Sequence, residues 1–135
     1  MLTYVWIAFG SALGGISRYG CSRLIATWFG ETFPWGTIAV NVIGSFVIGF
    51  FATLTGPDGR VIVSSDIRIF VTIGFCGGYT TFSSFSLQTL ELFRNRDYAE
   101  AGANILLSVI LCLAAVWLGF VMANLLNSAR GGSAG

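Results

Sequence analysis

The sequence predicts an all-α integral membrane protein with four transmembrane helices in each subunit. Hydrophobic residues make up 55% of the 135 residues and charged residues only 10%, whereas about one quarter of a soluble domain is charged. The mean hydropathy is +0.80. Four apolar stretches reach about 20 residues, the length at which an α-helix crosses a bilayer. The chain therefore has too little polar surface for a soluble protein and enough apolar length for four crossings.

The first two predicted spans cover about residues 2–25 and 35–54. Pro34 precedes the second span, where a proline removes no helical hydrogen bond. Arg18 places a charge within the first span, and this side chain extends to the interface, caps freed carbonyl groups or attracts anions at a vestibule. Small residues four apart let helix backbones approach closely in lipid, within one subunit or between two. The groups with this spacing are Gly10–Gly14, Ser11–Gly15, Ser45–Gly49 and, in the fourth span, Ala115–Gly119–Ala123.

The third predicted span, about residues 67–93, contains a segment that is unsuited to a regular helix. Three glycines precede five hydroxyl residues and two phenylalanines in the stretch GFCGGYTTFSSFS, from Gly74 to Ser86. Glycine tolerates non-helical backbone, and such backbone occurs at membrane depth only where it is buried in protein or lines a cavity. We therefore expect this helix to be broken at mid-membrane, with freed carbonyl and N–H groups beside a cavity.

The fourth predicted span covers about residues 101–126 and carries one polar stripe. Asn104, Ser108 and Cys112 repeat at intervals of four, which puts them on one helical face. Residues 1–127 are thus predicted to form one four-span unit with short connections. Residues 128–135 are predicted to be a tail, whose last residues have the composition of a flexible linker.

The basic residues predict no preferred orientation in the membrane. All seven are arginines, and Arg18 is set aside because it lies within a span. Four spans put Arg60, Arg68 and Arg130 on one side and Arg23, Arg94 and Arg96 on the other. The positive-inside rule then favours neither orientation. Either these counts are too small to be informative, or the chain inserts both ways and pairs with its inverted copy as an antiparallel, dual-topology homodimer.

Polar and aromatic side chains in two spans are candidates for an ion path. Asn41 lies in the second span, with Thr37 one turn before it and Ser45 one turn after it. An amide in hydrocarbon is costly unless it is paired, so Asn41 either joins helices or belongs to a functional site. Phe82 and Phe85 share a helical face. They either pack against the core or lipid, or present the positive edges of their rings to an anion.

Composition argues against several other classes of function. The chain has no histidine, the residue most often used as a general base, and it has no nucleophile–base pair, so an enzyme is not expected. Its three cysteines are isolated in apolar sequence and are interpreted as small buried hydrophobic residues. The net charge of +1 does not indicate a nucleic-acid partner.

Three groups of residues resemble the Fluc (CrcB) fluoride channel family, and the resemblance covers essentially the whole chain apart from the tail. The first group is Gly14-Gly15-Ile16-Ser17-Arg18, and the second is Trp35-Gly36-Thr37 with Val40-Asn41 and Gly44. The third and most specific group is Gly74-Phe75, Gly77-Gly78 and Thr80-Thr81-Phe82-Ser83-Ser84-Phe85-Ser86. Asn104 departs from the family pattern, because some relatives carry tyrosine there.

The resemblance implies a fluoride-selective passive channel that exports cytoplasmic fluoride through two pores in an antiparallel homodimer. It implies a structural Na⁺ at the dimer centre, bound by the backbone carbonyls of Gly77 and Thr80 from both subunits. The implied pore residues are Asn41, Thr81, Phe82, Ser83, Ser84 and Phe85, with Arg18, Asn104 and Ser108 as further pore or vestibule residues. The implied location is the inner (plasma) membrane of a bacterium, which the chain crosses several times in contact with lipid.

Two other functions are alternatives. A small dual-topology multidrug/proton antiporter needs a membrane-embedded carboxylate to exchange protons. The six acidic residues lie in predicted loops or at span ends, at Glu31, Asp58, Asp66, Glu91, Asp97 and Glu100. A non-conducting membrane scaffold would instead use every polar stripe as a packing contact. Proton-coupled export of a cationic dye would support the antiporter, and intact dimers without flux would support the scaffold.

Overall fold

The computed structural model describes residues 1–131, and this part of the chain is helical and contains no β-strand. The prediction of an all-α protein is therefore confirmed. The elements are α1 (Leu2–Phe29), α2 (Trp35–Leu54), α3 (Ser65–Ile69), a π-helix (Phe70–Cys76), α4 (Gly77–Tyr79), α5 (Phe82–Arg94) and α6 (Tyr98–Gly131). Two of these helices, over Trp35–Leu54 and Tyr98–Ala129, are long and apolar enough to cross a membrane by length and composition.

The long helices differ from the predicted spans mainly at their ends. α2 has the predicted bounds, because Pro34 cannot continue a helix towards the N-terminus. α1 runs on to Phe29, where Gly30 ends it with a positive φ of 80°. α6 continues to Gly131, into the residues that the sequence assigned to the tail, because residues 128–130 include neither glycine nor proline. Residues 132–135 of that tail lie outside the described residues.

The segment that corresponds to the third predicted span is not one continuous α-helix. α3 passes through the π-helix into the short α4. Thr80 and Thr81 then leave the helical conformation, with φ/ψ angles of −84°/157° and −151°/113°. α5 begins at the next residue, and the Thr81 hydroxyl accepts a hydrogen bond from the Ser84 N–H at 3.1 Å. Thr81 thus caps α5 in the way that threonine commonly caps a helix N-terminus.

Several of the closely spaced small residues lie where helices of one subunit touch. A Cβ added at Gly14 would lie 2.2 Å from the Phe75 carbonyl oxygen, and one added at Gly49 would lie 2.4 Å from the Val116 carbonyl oxygen. A Cβ at Gly15 would have no neighbour within 4 Å. α1 therefore packs backbone to backbone on the segment that ends in α4, and α2 packs likewise on α6.

Large apolar side chains cover much of the outer surface of α1 and α6. Side chains that are more than half exposed include Leu13, Trp28, Leu106, Leu113 and Trp117. A soluble monomer rarely exposes apolar surface of this extent. The outer surface of this bundle is therefore suited to contact with lipid or with another subunit.

Candidate ion pathway

The interruption between α4 and α5 is held by the side chain of Asn41, on α2. The Asn41 amide nitrogen donates to the Thr81 carbonyl oxygen at 3.1 Å, and the Thr81 N–H donates to Asn41 Oδ1 at 2.8 Å. The side chain thus supplies both hydrogen-bond partners of a residue that has left the helix. This pair meets the requirement that a part-buried amide be hydrogen-bonded. A primary amide has two N–H donors, so Asn41 keeps a second donor for another partner.

The same contacts release two backbone carbonyl groups. In a continuous helix the Gly77 carbonyl would accept from the Thr81 N–H, but that N–H donates to Asn41. The Thr80 carbonyl would accept from the Ser84 N–H, but that N–H donates to the Thr81 hydroxyl. Gly77 is exposed and Thr80 is half-buried. Two carbonyl oxygens beside one cleft are therefore without their helical donors, and neutral oxygens are suitable ligands for a hard cation.

Acidic and sulfur ligands do not converge elsewhere in the described part of the chain. Residues 1–131 contain no group of three or more His, Cys, Asp or Glu side chains placed to hold a metal ion.

A cleft of about 430 Å³ opens beside the interruption, between α2, α6 and the segment from the π-helix to α5. No charged side chain of the described residues lines it. The predicted site residues that line it are Asn41, Gly77, Thr80, Thr81, Phe82, Phe85 and Ser108. The cleft therefore combines apolar walls with neutral hydrogen-bonding groups.

Phe82 and Phe85 lie side by side along this cleft. Their ring centroids are 5.3 Å apart and the ring planes are inclined by 50°. The Phe82 side chain is 77% exposed, whereas Phe85 is half-buried. Phe82 therefore projects from the surface of the subunit, where its ring is available to lipid, to an ion or to a second subunit.

A second cavity, of about 290 Å³, also borders Thr81. Arg18 is the charged residue of its lining, and Ser84 and Thr81 supply hydroxyl groups. Because Thr81 lines both the cavity and the cleft, polar groups continue from the Arg18 guanidinium to the interruption. A cationic group at one end would attract an anion towards the neutral donors at the other.

The five hydroxyl residues of this segment divide into two groups. Thr80 and Ser86 each donate to the carbonyl oxygen four residues earlier, both at 2.9 Å, which is the common arrangement for a hydroxyl on a helix. The Thr81 hydroxyl is the centre of the other group, 3.1 Å from the Ser84 hydroxyl and 3.2 Å from the Ser83 hydroxyl. Ser83 is exposed and lines neither the cleft nor the second cavity.

Ser108 and Asn104 are hydrogen-bonded to each other, but only Ser108 lines the cleft. Ser108 lines the cleft, whereas Asn104 is 1% exposed and lies behind the cleft wall. Asn104 donates to the Thr89 hydroxyl at 2.9 Å and accepts from the Ser108 hydroxyl at 3.3 Å. The sequence did not single out Thr89. Its position four residues after Phe85 was the available signal, because that spacing puts both residues on one helical face.

Comparison with known proteins gives one consistent result. The model of the family described as "CrcB-like protein, Camphor Resistance (CrcB)" matches residues 5–120. A protein of Opitutus terrae is 57% identical over 97% of this chain and 99% of its own. A protein of Methylocella silvestris is 55% identical over 96% of this chain and 99% of its own length. A protein of Rhodospirillum rubrum is 57% identical over 93% of this chain and 98% of its own length. Each of these relatives is named a fluoride-specific ion channel, FluC.

Proposed function

The chain belongs to the CrcB-like (Camphor Resistance) family, and on that premise we propose that it is a fluoride-specific ion channel rather than an enzyme. Full-length relatives with 55–57% identity carry that name. The observation in the structure that supports the proposal best is the interruption at Thr80 and Thr81, clamped by Asn41 beside a cleft without charged side chains.

The groups along this cleft suit a small, strongly hydrated anion. An anion leaves water only where other donors replace its hydration shell. Asn41, on the cleft, keeps one amide N–H donor, and Ser84, in the adjoining cavity, accepts from Thr81 and keeps its own hydroxyl proton. The edges of the Phe82 and Phe85 rings carry positive partial charge. Neutral donors bind an anion more weakly than a fixed cation does, and conduction requires sites that an ion can leave. Passive efflux through such a path would let fluoride leave the cytoplasm down its gradient.

One subunit does not enclose this path. The cleft is open at the surface, and both Phe82 and Gly77 are exposed there. Lipid must not face unsatisfied polar groups, so a second copy is expected to cover the surface. An antiparallel copy fits the balanced arginines, which would let the chain insert in both orientations. We therefore propose a dual-topology homodimer with four spans per subunit, the third broken at mid-membrane, and two pores.

A structural Na⁺ would fit at the centre of this dimer. The Gly77 and Thr80 carbonyl oxygens lack their helical donors and line the cleft near the surface that the second copy covers. Contributed by both copies, these oxygens would hold the cation and fix the two interrupted segments relative to each other. The related bacterial channels point to the inner (plasma) membrane of a bacterium as the location.

The alternative of a proton-coupled antiporter is less well supported. Such a transporter exchanges protons at a carboxylate within its pathway. No acidic side chain of the described residues lines the cleft at the interruption or the adjoining cavity. Four of the six acidic residues instead line a wider opening near the end of α5, at Glu31, Glu91, Asp97 and Glu100.

Fluoride efflux from proteoliposomes tests the proposed function. Vesicles loaded with fluoride should release it down its gradient, and vesicles loaded with chloride should retain it. Phe82→Ile should reduce fluoride efflux while the dimer remains assembled, because the ring edge is lost but the apolar volume is largely kept. Phe93→Ile, on an exposed residue of the same helix away from the cleft, is the matched control. Fluoride retention by vesicles that contain intact dimers would rule out the channel.

A further inference from the structure

A line of hydrogen bonds joins the cleft wall to the backbone of α5 through buried side chains. Ser108 Oγ donates to Asn104 Oδ1 at 3.3 Å, and Asn104 Nδ2 donates to Thr89 Oγ1 at 2.9 Å. Thr89 Oγ1 then donates to the Phe85 carbonyl oxygen at 2.7 Å. The Ser108 proton therefore points away from the cleft, towards Asn104. Ser108, Asn104 and Thr89 are called the polar relay below.

The direction of the polar relay determines what Ser108 offers to the cleft. A serine hydroxyl has one proton and two lone pairs. Because its proton is given to Asn104, the Ser108 oxygen faces the cleft with lone pairs, which repel an anion. Asn104 is 1% exposed and does not line the cleft, so it cannot contact an ion there directly.

We infer that the polar relay reverses direction when fluoride enters the cleft, and that Asn104 is the positioning residue that reverses it. A half-turn of the Asn104 amide about its χ2 bond exchanges Oδ1 and Nδ2. Nδ2 then donates to Ser108 Oγ, and Oδ1 accepts from the Thr89 hydroxyl. The Ser108 proton becomes free to point at the anion. This inference rests on the proposed function, because it requires an anionic occupant of the cleft.

Both directions keep the buried polar groups hydrogen-bonded, which makes the reversal energetically accessible. Asn104 makes one bond to Thr89 and one to Ser108 in either direction. After reversal the Phe85 carbonyl loses the Thr89 hydroxyl but keeps the backbone N–H of α5 as its donor. The bond lost at Phe85 is replaced by the bond from Ser108 to the anion. An anion therefore favours the reversed direction, because it interacts with that direction alone.

The side-chain amide signal of Asn104 reports the direction of the relay. The full-length chain, labelled with ¹⁵N-asparagine and placed in lipid nanodiscs, is titrated with sodium fluoride and, separately, with sodium chloride at equal ionic strength. The Asn104 amide resonance should shift in a saturable way with fluoride and remain unchanged with chloride. In Ser108→Ala the fluoride shift should disappear. The titration uses the unmodified chain, so it decides the question even if a variant fails to assemble.

Efflux from proteoliposomes supplies a second test. Without Asn104, the Ser108 hydroxyl is expected to bond to the carbonyl one turn earlier, as serine commonly does in a helix. Asn104→Leu and Ser108→Ala should therefore each lower fluoride efflux about tenfold, which corresponds to about 1.4 kcal/mol. The double variant should lose no more than either single variant, because both remove the same donor. Asn124→Leu, the same substitution on the same helix, should leave efflux unchanged.

The outcomes separate the relay from the proposed function. If the chain conducts fluoride but the Asn104 side-chain amide resonance does not shift when fluoride is added, the proposed reversal is wrong. Losses that multiply in the double variant would overturn it as well. An unmodified chain that forms dimers but does not conduct fluoride would instead overturn the proposed function.

Discussion

Replacing Gly14 by alanine tests how strongly the interrupted segment depends on its backbone contact with α1. The added Cβ would lie 2.2 Å from the Phe75 carbonyl oxygen and 2.8 Å from the Tyr79 nitrogen. Ordinary van der Waals contact begins at 3.4 Å, so the nearest pair must separate by about 1.2 Å. Both neighbours are backbone atoms, which cannot rotate away as the end of a side chain can.

Two opposing effects give the expected change in stability. Overpacking of a tight contact costs about 1–3 kcal/mol, and a contact with backbone places Gly14→Ala near the upper end. Exchange of glycine for alanine within a helix gains about 1 kcal/mol. The free energy of unfolding should therefore fall by about 2 kcal/mol. Gly20→Ala on the same helix is the matched control, because its Cβ would have no neighbour within 4 Å.

Unfolding in mixed micelles titrated with dodecyl sulfate, followed by circular dichroism, measures these free energies. Gly14→Ala and Gly20→Ala should differ by about 3 kcal/mol, since the control keeps only the helical gain. The contact lies directly before Thr80 and Thr81, and a functional site tolerates displacements of only about 0.5 Å. Fluoride efflux should therefore fall in folded, dimeric Gly14→Ala and remain unchanged in Gly20→Ala. Equal stability and equal efflux for the two variants would show that the backbone contact at Gly14 does not hold the interrupted segment.

Three further perturbations test, one at a time, the pair of hydrogen bonds between Asn41 and Thr81, the dimer contact and the cation site. Asn41→Leu removes both hydrogen bonds to Thr81 and should lower the free energy of unfolding by about 1–3 kcal/mol in the same titration. If the free energy of unfolding falls no more than it does in Asn124→Leu, the hydrogen bonds from Asn41 to Thr81 do not stabilise the fold. Gly77→Ala places a Cβ with no neighbour within 4 Å in its own subunit, so helicity should persist while cross-linking detects less dimer. An undiminished dimer would mean that no second copy packs there. Replacing Na⁺ by N-methylglucamine at constant ionic strength should lower the thermal stability of the dimer, and Gly77→Ala should lose this response. A response of the same size in both proteins would argue against these carbonyls as the cation site.

The amino-acid sequence is enough to predict an all-helical protein and to predict where a helix begins or ends when the signal lies in neighbouring residues. Apolar stretches of helical length predict the helices, because helix formation depends on neighbouring residues. Pro34 placed the start of α2 correctly for the same reason. α6 continues past the predicted end of the fourth span to Gly131, because neither glycine nor proline occurs between residues 120 and 130. The depth of the interruption in a bilayer and the orientation of the chain remain predictions.

Which polar groups are hydrogen-bonded to each other depends on how the helices pack, and the sequence does not show it. Asn41 and Thr81 are 40 residues apart, and nothing near either of them in sequence indicates that one amide replaces the helical partners of the other residue. The sequence placed Asn104 and Ser108 on one face, but the docking of α5 on α6 put Asn104 behind the cleft wall, bonded to Thr89. The sequence gives the chemical type of each side chain. Its hydrogen-bond partner depends on how helices distant in sequence pack. In this subunit the helices can pack closely because glycines such as Gly14 and Gly49 let their backbones approach.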